Sequence, residues 1–215
     1  MKHQIITAFL IAAVLTAQAQ TTNFGIKAGV NANTFYLKTE GTGSDSRFSL
    51  TKPGFHAGAL ADIAFGSNFS LQPQLLFAMK GGKIEQSGTT TEFSFYTIDL
   101  PINLLYNYNG FFIGGGPNFS YGISGKGKTS GNPEIDLYED DALGPESNFK
   151  RFEIGANVLM GFRFPGGFML STNWTPGLSD IFDEGSGATG EGKANNSFFG
   201  FSIGYVFGSG KTVKK

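Results

Sequence analysis

From Phe24 onward, large apolar residues recur at every second position, with no sustained 3.6-residue period. The clearest segment is 197–207, where Phe199, Phe201, Ile203, Tyr205 and Phe207 alternate with Phe198, Gly200, Ser202, Gly204 and Val206. At 150–164, Phe152, Ile154, Ala156, Val158, Met160, Phe162 and Phe164 oppose Arg151, Glu153, Gly155, Asn157, Leu159, Gly161 and Arg163, so charge is confined to one face. The same alternation over 69–81 and 110–123, and less cleanly over 24–36, 53–65, 93–107 and 167–178, predicts eight β-strands.

Alternation alone fits a soluble sandwich as well as a membrane barrel. The face that is not apolar separates them. It is crowded with Gly, Asn, Gln and Ser and carries a few charges of both signs, which suits a narrow polar lumen better than a solvated sheet surface. The gaps between strands, at 37–52, 66–68, 82–92, 108–109, 124–149, 165–166 and 179–196, alternate long and short. The short ones carry hairpin residues: Gly66-Ser67-Asn68, Asn109-Gly110 and Pro165-Gly166-Gly167. The expected fold is therefore an all-β, eight-stranded, antiparallel up-and-down transmembrane β-barrel with short periplasmic turns and long extracellular loops. Closure leaves no strand edge open to lipid. Pro73, Pro101 and Pro117 fall inside these strands and remove ladder donors, so they are expected at bulges or at strand ends near the rim.

Residues 1–19, with Lys2, an apolar stretch from Ile5 to Leu15 and small residues at Ala17 and Ala19, have the form of a signal peptide. Removing them leaves a barrel domain over 20–207 and a short basic tail over 208–215. The apolar stretch is too short to cross a bilayer as a helix, and no later segment reaches the required length. The absence of cysteine excludes disulfides, thiolate metal sites and a cysteine nucleophile. The 32 glycines and 23 phenylalanines, with a mean hydropathy of −0.07, do not describe a water-soluble core. A net charge of −1 gives no basic face for nucleic acid.

Several segments resemble the PorT-like outer-membrane β-barrel domain family of Bacteroidota. They are FGIKAGVNANTF from Phe24, YTIDLPINLLYNY over 96–108, FEIGANVLMGFRF over 152–164 and TPGLSDI over 175–181. The resemblance spans nearly the whole mature chain. It implies the same fold and the cell outer membrane, without an enzymatic activity; some members are associated with the secretion system of that membrane. One departure is the GSGKTVKK that follows Phe207, where such barrels usually end on an aromatic residue.

Candidate chemistry is sparse. His56 is the one imidazole of the mature chain, and no nucleophile or carboxylate is spaced to make it a general base, so it is read as a lumen or rim residue. The lumen face collects Lys27, Asp62, Lys80, Asp99, Arg151, Glu153 and Arg163, expected as an ion-pair network that plugs the bore of an eight-stranded barrel rather than lining a conducting path. The acidic loop 124–149 lacks calcium-loop spacing and reads as solvated. GSGATGEGK over 185–193 is followed by Ala194, so it is not a phosphate-binding loop. No catalytic residue, metal or cofactor is expected. Aromatics such as Phe35, Tyr36, Phe65, Phe69, Tyr106, Tyr108, Phe111, Phe164, Phe168 and Trp174 sit near strand ends, as in interfacial girdles.

The first functional expectation is a monomeric structural or interaction protein whose loops meet lipopolysaccharide, outer-membrane lipid, or a surface or secretion-system protein. A small pore or transport accessory and a membrane-embedded lipid-modifying enzyme are the alternatives. We expect intact-mass measurement of membrane-purified protein to give a chain starting at Gln20. A mass that includes Met1 would remove the export argument.

Overall fold

In a computed structural model, residues 21–38, 52–86, 88–139, 149–179 and 193–208 are described, with the side chains of 35–38, 84–86 and 193–194 set aside. The signal peptide and its cleavage site, most of the gaps 37–52 and 179–196, residues 140–148 and the tail beyond Gly208 lie outside the described residues.

The strands are β1 (Thr21–Lys38), β2 (Lys52–Phe65), β3 (Phe69–Gln86), β4 (Thr89–Tyr108), β5 (Phe111–Thr129), β6 (Ile135–Asp136), β7 (Phe152–Arg163), β8 (Phe168–Pro176) and β9 (Lys193–Val206). Each long strand pairs antiparallel with its neighbours in sequence, and β1 pairs with both β2 and β9, so eight strands close into a ring. Two-residue β6 adds to the edge of β5 at Lys126 and Gly127, beyond the point where β7 stops. At one end, which we call the turn end, β2 and β3 meet at Gly66–Asn68, β4 and β5 at Asn109-Gly110, and β7 and β8 at Pro165–Gly167. Asn109 and Gly110 both have positive φ, 49° and 84°, the geometry of a two-residue hairpin turn that matches strand twist. The other end is the loop end.

Alternation becomes an inside and an outside. Phe24, Ile26, Val30, Leu75, Leu104, Val158, Met160, Phe201 and Ile203 are exposed on the outer wall. Lys27, Asn31, His56, Gln72, Gln74, Asn103, Asn118, Asn157, Asn173 and Ser202 are buried inside. A wall that is apolar outside and polar inside inverts a soluble protein and fits a lipid surround. Outward rings form a row at each edge of this belt. At the turn end Phe65–Phe69–Tyr106 and Phe162–Phe164–Phe168 lie in contact with centroids 5.0–6.2 Å apart. Towards the loop end Phe55–Phe77–Tyr96 lie at 6.0 Å spacing. The side chains of Phe35 and Tyr36 are outside the described set.

Two sequence expectations are corrected. The gap 82–92 is not a long loop: β3 runs to Gln86, β4 starts at Thr89, and the ladder continues through Lys83↔Glu92 and Ile84↔Thr91. This stretch lies beyond the lipid belt, so neither face needs to be apolar and the period-2 signal vanishes, although Ile84 and Thr89–Thr91 suit a strand. The connections therefore do not alternate strictly between long and short.

The prolines are neither bulges nor rim residues. Pro73 lies midway between Phe69 and Phe77, Pro101 between Tyr96 and Tyr106, and Pro117 between Phe111 and Tyr121. Pro73 pairs with Ile102, and Pro101 with Asn118, so the three form a row across adjacent strands at mid-belt. The ladder skips two residues per strand there, with the same register on both sides of each gap. The one register shift in the β4–β5 ladder is instead at Tyr96/Thr97.

Ile203 is half exposed in the middle of the outer wall, paired with Ala28 and Leu170. We expect Ile203→Arg to destabilise the barrel in liposomes by roughly 2–4 kcal/mol. Urea titration of the folded, heat-modifiable gel band measures this, with Ile203→Leu unchanged. Equal midpoints for both variants would reverse the assignment of faces.

Candidate functional site

The bore of an eight-stranded barrel is just wide enough for side chains to meet across it. The lumen is therefore the place where the inward residues of all strands come together. It is layered.

At the turn end a mouth of about 580 Å³ opens between Asn23, Asn68, Ser70, Asn107 and Gly208. Its floor is the pair Arg163 Nη1–Asp62 Oδ2, 2.8 Å apart. Above the pair, Leu60, Leu105, Phe112, Leu159, Met169 and Val206 form an apolar cluster that fills the bore. The Arg163 guanidinium lies 6.0 Å from the ring centre of Phe112 and so caps this layer.

Next comes a belt of amides and hydroxyls. Asn157 is its hub: it donates to Asn103 Oδ1 at 2.7 Å and accepts from Thr175 Oγ1 at 2.7 Å and from Asn173 Nδ2 at 3.5 Å. Gln74 donates to Gln72 at 2.8 Å, and Asn103 Nδ2 donates to the Gln72 carbonyl at 3.5 Å, next to Pro73, where the ladder is thin.

His56 joins three strands in this belt. Its Nδ1 is 2.6 Å from Asn31 Oδ1, which can only accept, so Nδ1 carries the hydrogen and Nε2 accepts from the Ser202 hydroxyl at 2.7 Å. Gly29 faces both His56 and Ser202, and a Cβ there would sit 2.7 Å from the imidazole Cε1. The missing side chain is what lets the ring reach across β1. Serine, histidine and asparagine stand in the order of nucleophile, base and orienting group, a juxtaposition sequence spacing did not reveal. Both Ser202 and His56 are at least 98% buried, as exposures of 1% and 2% show, and they lie inside the bore. The arrangement ties β1, β2 and β9 together and offers a substrate no approach among the described residues.

The upper polar layer holds Lys80, whose Nζ donates to Asp99 Oδ1 and Ser120 Oγ, both at 2.9 Å, while Thr97 also donates to Asp99. Glu153 accepts from Asn196 at 3.1 Å and lines a space of about 10 Å³ together with Lys80. Lys27 makes one long hydrogen bond, 3.4 Å to Gln74, and shares a second space of about 10 Å³ with Asp99. Each space has the room of a single water molecule.

The structure thus brings Lys27, Asp62, Lys80, Asp99, Glu153 and Arg163 into the bore but joins only four of them as direct ion pairs, Lys80–Asp99 and Arg163–Asp62. Amides and hydroxyls do most of the linking. Arg151 is corrected: it lies just before β7, exposed, with Nη1 on the carbonyls of Gly122 and Ile123 and its guanidinium 4.3 Å from the Tyr138 ring centre. The strand begins at Phe152, so the alternation that turns Glu153 inward does not reach Arg151. Without Arg151 the bore holds three cations and three anions.

At the loop end Phe93, Phe95, Leu137 and Phe149 are buried, with Phe95 and Phe149 rings 5.7 Å apart, while Phe198 covers Lys80, whose Nζ lies 5.5 Å from its ring centre, and lines both small spaces. Leu137 belongs to the segment expected to be a solvated acidic loop, yet it is fully buried. Its backbone N–H donates to the Gly125 carbonyl at 2.8 Å, and its side chain fills the room left by Gly125 and Gly127. The glycine spacing in β5 and the apolar triplet around Asp136 were the available signals; flanking acidic residues masked them. No group of three or more His, Asp or Glu side chains is placed to hold a metal ion among the described residues.

A family model described as outer membrane protein beta-barrel domain matches residues 17–183. Among solved structures, the chain is similar to Ail, the attachment invasion locus protein of Yersinia pestis, in complex with the heparin analogue sucrose octasulfate. The identity is 13%, over 86% of this chain and 99% of that one, with a TM-score of 0.46. It is also similar to Neisserial surface protein A, at 12% identity over 86% of this chain and 98% of that one, with a TM-score of 0.49. OprG from Pseudomonas aeruginosa gives 10% identity, 87% and 97% coverage and a TM-score of 0.44. No curated protein matches the chain.

Breaking one partner of a buried ion pair leaves the other charge uncompensated. We expect Lys80→Ala to cost about 3–5 kcal/mol in liposome unfolding titrations, and Lys80→Met combined with Asp99→Leu to recover most of it. A double variant no better than the single one would mean that the pair is not coupled.

Proposed function

The chain belongs to the outer membrane protein beta-barrel domain family, and from that premise we propose that it is a sealed outer-membrane anchor whose loop-end surface makes the functional contacts. Those contacts are with lipopolysaccharide and with a surface or secretion-system protein. The turn end faces the periplasm, where an N-terminus freed by signal-peptide removal would lie, and the barrel works as a monomer. The sequence segments from Phe24, 96–108, 152–164 and 175–181 favour the PorT-like branch of the family.

The observation that carries this reading is the apolar cluster Leu60–Leu105–Phe112–Leu159–Met169–Val206 on the turn-end side of the polar belt, together with the buried Phe93, Phe95, Leu137 and Phe149 on its loop-end side. An ion crossing the bore would have to shed water at both. The enclosed spaces between them hold about one water each, whereas the mouth of about 580 Å³ ends at the Arg163–Asp62 pair. The same enclosure supports a non-enzymatic role, because Ser202 and His56 have no route to a substrate among the described residues. What remains accessible beyond the belt is the extension of β3, β4 and β5, strands of 18, 20 and 19 residues where about 9–11 suffice to span.

Planar-bilayer recording of the refolded chain tests the seal. We expect no stable conductance steps; steady single-channel openings from a preparation that is fully heat-modifiable would establish a pore instead.

A further inference from the structure

The extension of β3–β5 continues the outer wall above the ring row that contains Phe77 and Tyr96. On that face the cross-strand register aligns Lys83 on β3, Glu92 on β4 and Lys128 on β5 side by side. Glu92 is occupied from two sides: Lys83 Nζ lies 2.6 Å from Oε1 and Lys52 Nζ 3.3 Å from Oε2. These contacts, the Lys83 hydrogen bond foremost, hold the Glu92 carboxyl below the usual carboxylate range.

The lysines are not equivalent. Lys52 is mostly covered, and its ammonium is also directed at Ser94 Oγ, 2.7 Å away, and at the Phe93 carbonyl. It cancels the charge of Glu92 from the edge of β2 and has little left to offer outside. Lys83 is one-third exposed, and Lys128 is exposed with no ion pair among the described residues. Three lysines around one glutamate leave a local charge of +2, presented outward by Lys83 and Lys128. Lys126, two residues earlier on the same face of β5, is different, because Glu134 pairs with it at 2.7 Å and Asp136 lies opposite in register.

Height selects the partner. Glu92 is four residues beyond Tyr96, which at about 3.4 Å per residue and a tilt near 45° places the row about 10 Å above the rings. Aromatic rows sit at the headgroup level, and lysine side chains can reach back several ångströms along the wall. On an outward face continuous with the lipid belt, what meets the row is the headgroup layer rather than bulk water.

We propose that Lys83 and Lys128, set on either side of the neutralised Glu92, form a docking site for the phosphate of a lipid A headgroup in the outer leaflet. This rests on the orientation given above, with the loop end outward. Two ammoniums about two strand spacings apart can share one phosphate, and the lipid's acyl chains would lie along the apolar wall below.

The test uses the full chain in detergent micelles with phosphorylated lipid A and its dephosphorylated form as probes, read by native mass spectrometry. We expect the protein to prefer the phosphorylated form about tenfold, in line with two exposed charge contacts. We expect Lys83→Gln combined with Lys128→Gln to abolish that preference, and Lys126→Gln to keep it. All variants should stay heat-modifiable, since none of the three side chains lies in the bore. No phosphate preference in the unaltered chain, a preference that survives the double substitution, or an equal loss with Lys126→Gln would overturn the proposal. So would displacement of lipid A by millimolar inorganic phosphate, or a protein ligand that needs Lys83 and Lys128 while lipid A does not. Orientation is read separately with an impermeant thiol reagent on Lys128→Cys in intact cells. Labelling only after the outer membrane is broken would refute the outward loop end, a failure distinct from loss of lipid preference.

Discussion

In hydrocarbon an unpaired backbone N–H or C=O has no water to turn to, and this demand governs the molecule. A ring meets it, because each strand has a partner on both sides. Once the ring closes at β1–β9, each inward position is committed to a bore only wide enough for side chains, and each outward position to lipid. Ile203 and Ser202 are neighbours in sequence, yet one is half exposed on the outer wall and the other is buried against His56.

The narrow bore explains the polar filling. Six charged groups share it, and their sum is zero once Arg151 is placed outside. Neutrality matters because an uncompensated charge would be expensive at this depth. Only two direct ion pairs form, and the remaining charges are carried through Gln74, Asn196 and spaces of about one water each. Buried apolar side chains flank the polar belt on both sides among the described residues. The proline row fits the same logic. Three adjacent strands lose ladder donors at mid-belt, and one local replacement comes from inside, where Asn103 donates to the Gln72 carbonyl.

Beyond the lipid belt the constraint relaxes, and the strands change character. β3, β4 and β5 continue with polar residues on the outer face, held by ladder hydrogen bonds and by ion pairs such as Lys83–Glu92. The extension's inner face is apolar, with Phe93 and Phe95 buried against Leu137. Its inner side is covered by Leu137 and its neighbours, which also close the bore.

Residue order alone determined the class of fold, the eight strands of the ring, the faces of nearly every strand and the three tight turns. Period-2 alternation and residues such as Asn109-Gly110 are local, and lipid makes the pattern strict. Lys27, Asp62, Lys80, Asp99 and Glu153 are buried on the inward face of that alternation, and Arg163 reaches Asp62 there. The tertiary structure decided what local pattern cannot carry. The strands across 82–92 have no apolar face to reveal them. The burial of Leu137 depends on Gly127 and Gly125 of β5, ten and twelve positions away in the chain. The partners within the bore depend on ring closure: His56 meets Ser202 across 146 positions, and Arg163 meets Asp62 across 101. Such pairings follow from register around the whole barrel, which is set by every ladder at once.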